Sequence, residues 1–565
     1  MRRTVKVTAL ALLALALSAG LASTAPAAPK PPSCKVVVTG NLSSAGYIPT
    51  LLAARTPGAT ESSINATVEA ACLAGIAPPQ VAASVLRAAD YDAGTTGTFL
   101  RSSFGLAAVP AAQTLKAVGY TAPQIASGLG SAFGSTALEA AQVLKAIGFL
   151  ANDVALAMTG SFALDLPTMS ATLKTAGFTP VEIGGALKTV YQQTDIQAAQ
   201  TLRTASFVAT EVADVLETVY TATNVIAAGI LKTTGYAVTE IADALKVVYE
   251  ATGETVAGIL RGLAYTANDV AAALQTVYFV AGEIAAGLLR NVGYAATEVA
   301  DALRVVYTFA ADTAASTLRN VGYAAREIGA ALKSAYNKLA DEAASILKNI
   351  GASAVETADV LVDEYGLAAL PVALALKTIG YGAQAIGFAL KLSVGLAAEA
   401  AAQVMNAAAF GLDVLADAVT VAFDLSAAAL TGTLKAAGFL AFQVAEGVRA
   451  VFDVAADVLA GYMKAAGFVA IEVAGAIEAV FHLGAAAVSG MLKTIGFTIV
   501  EVSQAAQAVF QLGINAAAQL LKDIGYAADQ IVGVLQSVWG ATEDAIADAL
   551  ESIGEVVCEF LPIPC

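Results

Sequence analysis

The sequence predicts an all-α fold: an α-solenoid of about 17 two-helix repeats with a 29-residue period, wound into a right-handed superhelix. Three observations predict it. A glycine followed by an aromatic residue recurs on one register, at Gly119-Tyr120, Gly148-Phe149, Gly177-Phe178, Gly235-Tyr236, Gly293-Tyr294, Gly322-Tyr323, Gly380-Tyr381, Gly438-Phe439, Gly467-Phe468, Gly496-Phe497 and Gly525-Tyr526. Degenerate copies at Asp90, Ser206, Ala264, Gly351, Ala409 and Gly554 complete 17 anchors with no insertion or deletion. Between anchors, apolar residues follow helical spacing twice per repeat.

Residues 235–263 serve as the example. Ile241, Ala244, Leu245, Val248 and Tyr249 fall on one helical face, predicting a helix of about 12 residues after the anchor. Thr252-Gly253 breaks it, and Val256, Ile259, Leu260 and Leu263 describe a second, shorter helix that ends at the next anchor. Start signals agree. Thr179-Pro180-Val181-Glu182 is a capping box with proline at the first helical position, and Thr121 to Gln124 is another. The recurrent glycine occupies the left-handed position that closes a helix.

Three more registers run through the array. A lysine or arginine stands three residues before the glycine slot in 15 of the 17 repeats, half of the 30 basic residues. In the last helical turn such a cation complements the helix dipole. Fourteen residues past the slot lies a second aromatic ladder, from Phe104 to Trp539, broken only at Val394. Twenty-two past the slot the residue is always small, as at Ala199, Ala257 and Ser489, which lets helices approach closely. Both aromatic ladders read as a packed spine.

The ends differ from the array. Residues 1–27 have a basic start (Arg2, Arg3, Lys6), an apolar stretch and a small-residue cleavage site at Ala25-Pro26-Ala27, the pattern of a bacterial secretory signal peptide. Residues 28–85 are expected to form an N-terminal cap, 86–550 the array and 551–565 a C-terminal cap. The four cysteines, Cys34, Cys72, Cys558 and Cys565, lie outside the array, and export makes disulfides within each end the expected pairing. The expected location is secreted, periplasmic or cell-surface.

Composition bounds the function. Apolar residues make up 57%, much of it alanine, and net charge is −16. Beyond residue 27 no uncharged apolar run is long enough for a transmembrane helix. The acidic balance argues against a nucleic-acid partner. The single histidine, His482, sits in a variable slot and leaves no triad or metal-ligand set to assemble. No catalytic residue, cofactor or metal is expected. The one polar pattern is a set of carboxylate pairs three residues apart, Glu211/Asp214, Glu240/Asp243, Glu298/Asp301 and Glu356/Asp359, which stacking would align into an acidic ribbon able to meet cations or a basic partner.

The order of glycine-aromatic, capped helix and Ala-x-x-Leu, as around Gly148-Phe149 and Gly496-Phe497, resembles the Met-Gly-Phe segment of ubiquitin-associated domains. It is also similar to the helical repeats of mitochondrial transcription termination factors. No residue role follows from either. The expected function is a non-enzymatic, exported scaffold or adhesin-like protein that offers a long curved surface to a protein or polysaccharide. The alternative is a self-assembling or surface-active cell-envelope protein, driven by its sparsely charged, apolar C-terminal third.

Overall fold

The structure is a computed structural model that describes residues 75–555 continuously. Every regular element in that range is an α-helix, 33 in all, from Pro78–Ala88 to Glu543–Ser552. The chain is an α-solenoid of two-helix repeats. It divides into two compact units, residues 1–235 and 236–565. The described helices of the first end with Asn224–Thr233, and those of the second begin with Val238–Val247.

Both units follow one rule. A leading helix of 10 to 12 residues follows the glycine slot, as in Pro180–Thr189, and a trailing helix, as in Asp195–Thr204, runs to the next slot. Leading helices pack on leading helices of neighbouring repeats, and trailing on trailing. Pro78–Ala88 already occupies a trailing position, with Arg87 in its last turn, so the repeat register begins inside the segment expected to be a cap.

The turn chemistry explains where helices stop. At Gly119, φ is +91°, a region that costs an L side chain energy and glycine little. Its N–H donates to the Lys116 carbonyl at 2.9 Å, while the Tyr120 N–H donates to the Leu115 carbonyl at 3.1 Å. This paired arrangement satisfies two carbonyls that the helix end leaves open. At the start, the Thr179 N–H donates to Glu182 Oε2 at 2.7 Å, and the Glu182 N–H donates back to Thr179 Oγ1 at 3.2 Å.

The core of each unit is the apolar seam between helices. In the first unit Ile183, Leu187, Val212 and Leu216 are fully buried, and in the second Ile241, Leu245, Val256 and Leu260 are. The small slot is buried as expected, at Ala199, Ala257 and Ser489. The closest backbone approach, however, lies between leading helices. A Cβ placed on Gly387 would stand 2.9 Å from the Ala418 carbonyl oxygen. The aromatic beside the glycine is core: Tyr120, Phe207, Tyr294 and Tyr323 are all buried. The ladder 14 residues past the slot is half-buried at Tyr220, Tyr249 and Tyr278, so it roofs the seam rather than filling it.

The expectation of disulfides is corrected. None is found among the described residues, which contain no cysteine: Cys34, Cys72, Cys558 and Cys565 all lie outside them. The proposed signal peptide, residues 1–27, also lies outside. Among the described residues no single helix is long and apolar enough to cross a membrane. One leading–trailing pair, Leu412–Phe423 and Ala427–Ala436, has the length and composition, but it bends by 116° and buries Leu415, Val419, Leu430 and Leu434 in the core.

Candidate functional site

The most regular polar chemistry lies between repeats. The cation three residues before each glycine slot was expected to act on its own helix end. It reaches instead across to the next repeat, about 31 residues on. Lys116 Nζ donates to the carbonyls of Ile147 at 2.7 Å and Gly148 at 2.9 Å. Arg261 reaches Val292 and Gly293, Lys377 reaches Ala408 and Ala409, and Lys493 reaches Ile524 and Gly525. Each cation therefore caps the trailing helix of the next layer. It also covers that layer's aromatic ring: Lys116 stands 4.4 Å from the Phe149 centroid and Lys493 4.3 Å from that of Tyr526.

Leading helices use the same device, which sequence reasoning missed. Arg101, Lys188, Lys246, Lys333, Lys391 and Arg449 all lie 11 residues past a slot. Lys246 Nζ donates to the Val277 carbonyl at 2.6 Å and sits 5.1 Å from the Tyr278 centroid; Lys391 does the same with Ala422 and Phe423. Lys188, Lys333, Arg101 and Arg449 pair likewise with Val219, Glu364, Ala132 and Val480. Only some repeats carry this cation, but the common 31-residue separation between donor and carbonyl would have revealed it.

The tyrosines bond in the opposite direction. Tyr323 OH donates to the Tyr294 carbonyl at 2.7 Å, and Tyr294 OH to the Tyr265 carbonyl at 2.6 Å. In the second ladder Tyr278 OH donates to the Ala251 carbonyl at 2.6 Å, and Trp539 Nε1 to Leu512 at 2.8 Å. Burial pushes the phenols of Tyr278, Tyr294 and Tyr323 up to about 12.

The carboxylate pairs divide into two jobs. The glutamates are spent on helix starts. Glu211, Glu240, Glu298 and Glu356 accept the backbone N–H of Val208, Ala237, Ala295 and Ser353 at 2.7–2.9 Å. Two also pair with the cation ladder, Glu211 with Lys174 at 2.6 Å and Glu356 with Arg319 at 3.1 Å. These bonds hold the Glu356 carboxyl below its ordinary value against desolvation, the largest influence, which raises it.

The aspartates Asp214, Asp243, Asp301 and Asp359 stand one turn further along. Asp301 accepts from Asn268 Nδ2 at 2.7 Å and pairs with Arg304 at 2.5 Å, and these contacts lower its pKa, the Asn268 bond foremost. Asp214 accepts from Thr218 Oγ1 at 3.2 Å, and Asp243 is exposed. Among the described residues no three His, Cys, Asp or Glu side chains come together in a way that could hold a metal. His482 is exposed and takes the left-handed position closing Ala470–Phe481, at φ +56°. Its slot is thus a helix terminus, a stricter place than a variable surface position.

What remains is the outward face of the leading helices, four, eight and twelve residues past each slot. In the first unit it carries hydroxyls, as at Thr98 and Ser127, then Asp214 and Thr218. In the second it begins acidic, at Asp243 and Asp301, and becomes apolar at Phe442, Ile471 and Val500, all exposed. The chain matches no protein-family model and none of the curated proteins.

Proposed function

We propose that this chain is an exported, non-enzymatic helical-repeat scaffold that binds an extended protein or polysaccharide through the outward faces of its leading helices. One observation carries the reading. The bonds of the cation and tyrosine ladders end on backbone carbonyls, as at Ile147, Tyr294 and Ala251, so cohesion constrains the outward side chains little. A surface held in fixed register yet free to vary in chemistry suits recognition of a partner with its own repeat. Export rests on the segment 1–27, and absence of turnover on a histidine-poor, acid-capped chemistry with no assembled acid–base pair.

The test is capture from envelope extract on immobilised protein. Replacing Asp243 and Asp301 with alanine, or Phe442 and Ile471 with serine, is expected to remove the captured partner while helical content stays unchanged. Capture that survives both pairs of substitutions contradicts the reading. N-terminal sequencing of the protein recovered from its host checks export: a start near Ala28 supports it, and a retained Met1 contradicts it.

A second reading, self-association through the C-terminal third, is favoured by the exposed Leu440, Phe442, Val469, Ile471 and Val500 on successive leading helices. They border a groove of about 520 Å³ lined by Phe442, Ala450, Ala479 and Val480. Such contiguous apolar surface marks interaction sites. Sedimentation that grows with concentration, and is abolished by Phe442→Ser with Ile471→Ser, supports it.

A further inference from the structure

The first two described leading helices break the pattern that later repeats keep. Where later repeats place Glu240 and Asp243, or Glu298 and Asp301, Ala93–Phe104 carries Thr95 and Thr98, and Ala122–Phe133 carries Gln124 and Ser127. The two helices also approach unusually closely. A Cβ on Gly128 would lie 2.8 Å from the Ala93 carbonyl oxygen, and one on Gly94 would lie 2.5 Å from Ser131 Oγ. A departure from a local rule without a packing need is where function is to be sought.

These helices border an open cleft of about 780 Å³, within the size of small-ligand sites. Its wall is polar: Thr95, Thr98, Gln124, Ser127, Ser131 and Asp92 line it. Its inner edge is built by ladder residues. Arg87 lies 4.6 Å from the Tyr120 centroid, and Tyr120 OH donates to the Tyr91 carbonyl at 2.6 Å, fixing the half-buried Tyr91 at the margin.

The lining selects among ligand classes. It has too little apolar surface for a lipid or an amphipathic helix, which need an apolar groove. There is no strand edge for an extended peptide to join. Asp90 and Asp92 disfavour a phosphate. What remains is a neutral ligand whose own hydroxyls both donate and accept. We infer that the cleft between Ala93–Phe104 and Ala122–Phe133 is a binding subsite for a neutral saccharide, with Thr98, Ser127 and Gln124 as the hydrogen-bonding wall. The inference rests on reading the array as a binding scaffold and assigns one site and one ligand class within it.

The test is titration calorimetry of the full chain with maltohexaose, cellohexaose, mannohexaose and xylohexaose. Binding of at least one, weakened tenfold or more in Thr98→Leu/Ser127→Leu, is the expected result. Both positions are exposed, so the variant keeps its fold, checked by circular dichroism; Gln124→Leu is the independent second variant. Binding of none of the four, or binding equal in wild type and both variants, overturns the inference. So does hexalysine that binds the cleft and is released by salt. Envelope capture by the same variants separates the two claims: if it persists while saccharides fail, the scaffold reading stands and the subsite falls.

Discussion

Replacing Tyr323 with phenylalanine isolates the bond that fixes one repeat against the next. The ring is buried, and its hydroxyl donates to the Tyr294 carbonyl at 2.7 Å. Phenylalanine occupies the same slot at Phe149, Phe178 and Phe468, so the ring packing survives the change. A neutral hydrogen bond contributes about 1 kcal/mol net, and a buried carbonyl left unpaired adds a penalty, giving a local cost of about 1–3 kcal/mol. At about 1.4 kcal/mol per tenfold, that corresponds to roughly five- to hundredfold faster amide exchange. A global melting temperature is the wrong assay, because long repeat arrays lose two-state cooperativity. Hydrogen exchange read by mass spectrometry resolves repeats. Peptides covering Gly282–Asn291 and Ala325–Tyr336 are expected to lose protection, while those near Ala485–Thr494 keep theirs. Unchanged exchange beside Tyr323, or an equal loss at every repeat, refutes the reasoning.

Lys493→Met removes two carbonyl contacts and the cation over Tyr526; it is expected to cost about 2 kcal/mol locally and to speed exchange in Ile514–Asp523. Gly387→Ala drives a methyl against the Ala418 carbonyl, which sits on a helix and cannot swing aside, so a loss of about 1–3 kcal/mol should appear in denaturant titration. Thr308→Gly should stabilise by about 1 kcal/mol, because a β-branched residue there is held at φ +58°, and a melting curve reads the gain. The buried tyrosines predict alkaline instability. Phenols of the unfolded chain ionise near 10, whereas those of Tyr294 and Tyr323 wait until about 12. Unfolding thus releases protons in that window, so their contribution is complete below pH 10 and lost as pH rises to about 12. Helical signal and tyrosinate absorbance should change together above pH 10, and ionisation near 10 with helices intact contradicts this.

The period made the fold legible because each repeat carries its own punctuation. Gly119 with Tyr120, and Thr179 with Glu182, declare helix ends within four residues of themselves. The destination of the cations was not legible in the same way. Lys116 sits in the last turn of one helix, and local pattern assigns it to that helix. Its carbonyl partners, Ile147 and Gly148, are remote in sequence and carry no side-chain signature, since any residue supplies a carbonyl. The acidic ribbon misled for a related reason. Beside Thr179 a glutamate is recognisable as a cap. Beside Ala237 or Ala295 the N-cap has no side-chain oxygen, so Glu240 and Glu298 looked like surface charge, although each binds a backbone N–H in the same way. The cleft beside Thr98 was missed because hydroxyls at helical spacing look like ordinary solvent-facing residues until two helices bring them together.

Bonding to carbonyls has a consequence for how such a chain can diversify. A ladder built from paired side chains would tie each repeat to its neighbour's residue type, and changing one would demand a change in the other. Here Tyr323 bonds Tyr294, Tyr381 bonds Ala352 and Trp539 bonds Leu512, and in every case the acceptor is main chain. The donors obey the register, while the acceptors impose no requirement beyond backbone position. Leading helices can therefore carry Thr98 in one repeat, Asp243 in another and Ile471 in a third without disturbing the layer contacts beneath. Cohesion resides in the slots 3 residues before and 1, 11 and 14 residues past the anchor glycine. Recognition is left to the slots at 4, 8 and 12, and a change of partner chemistry requires substitutions only there.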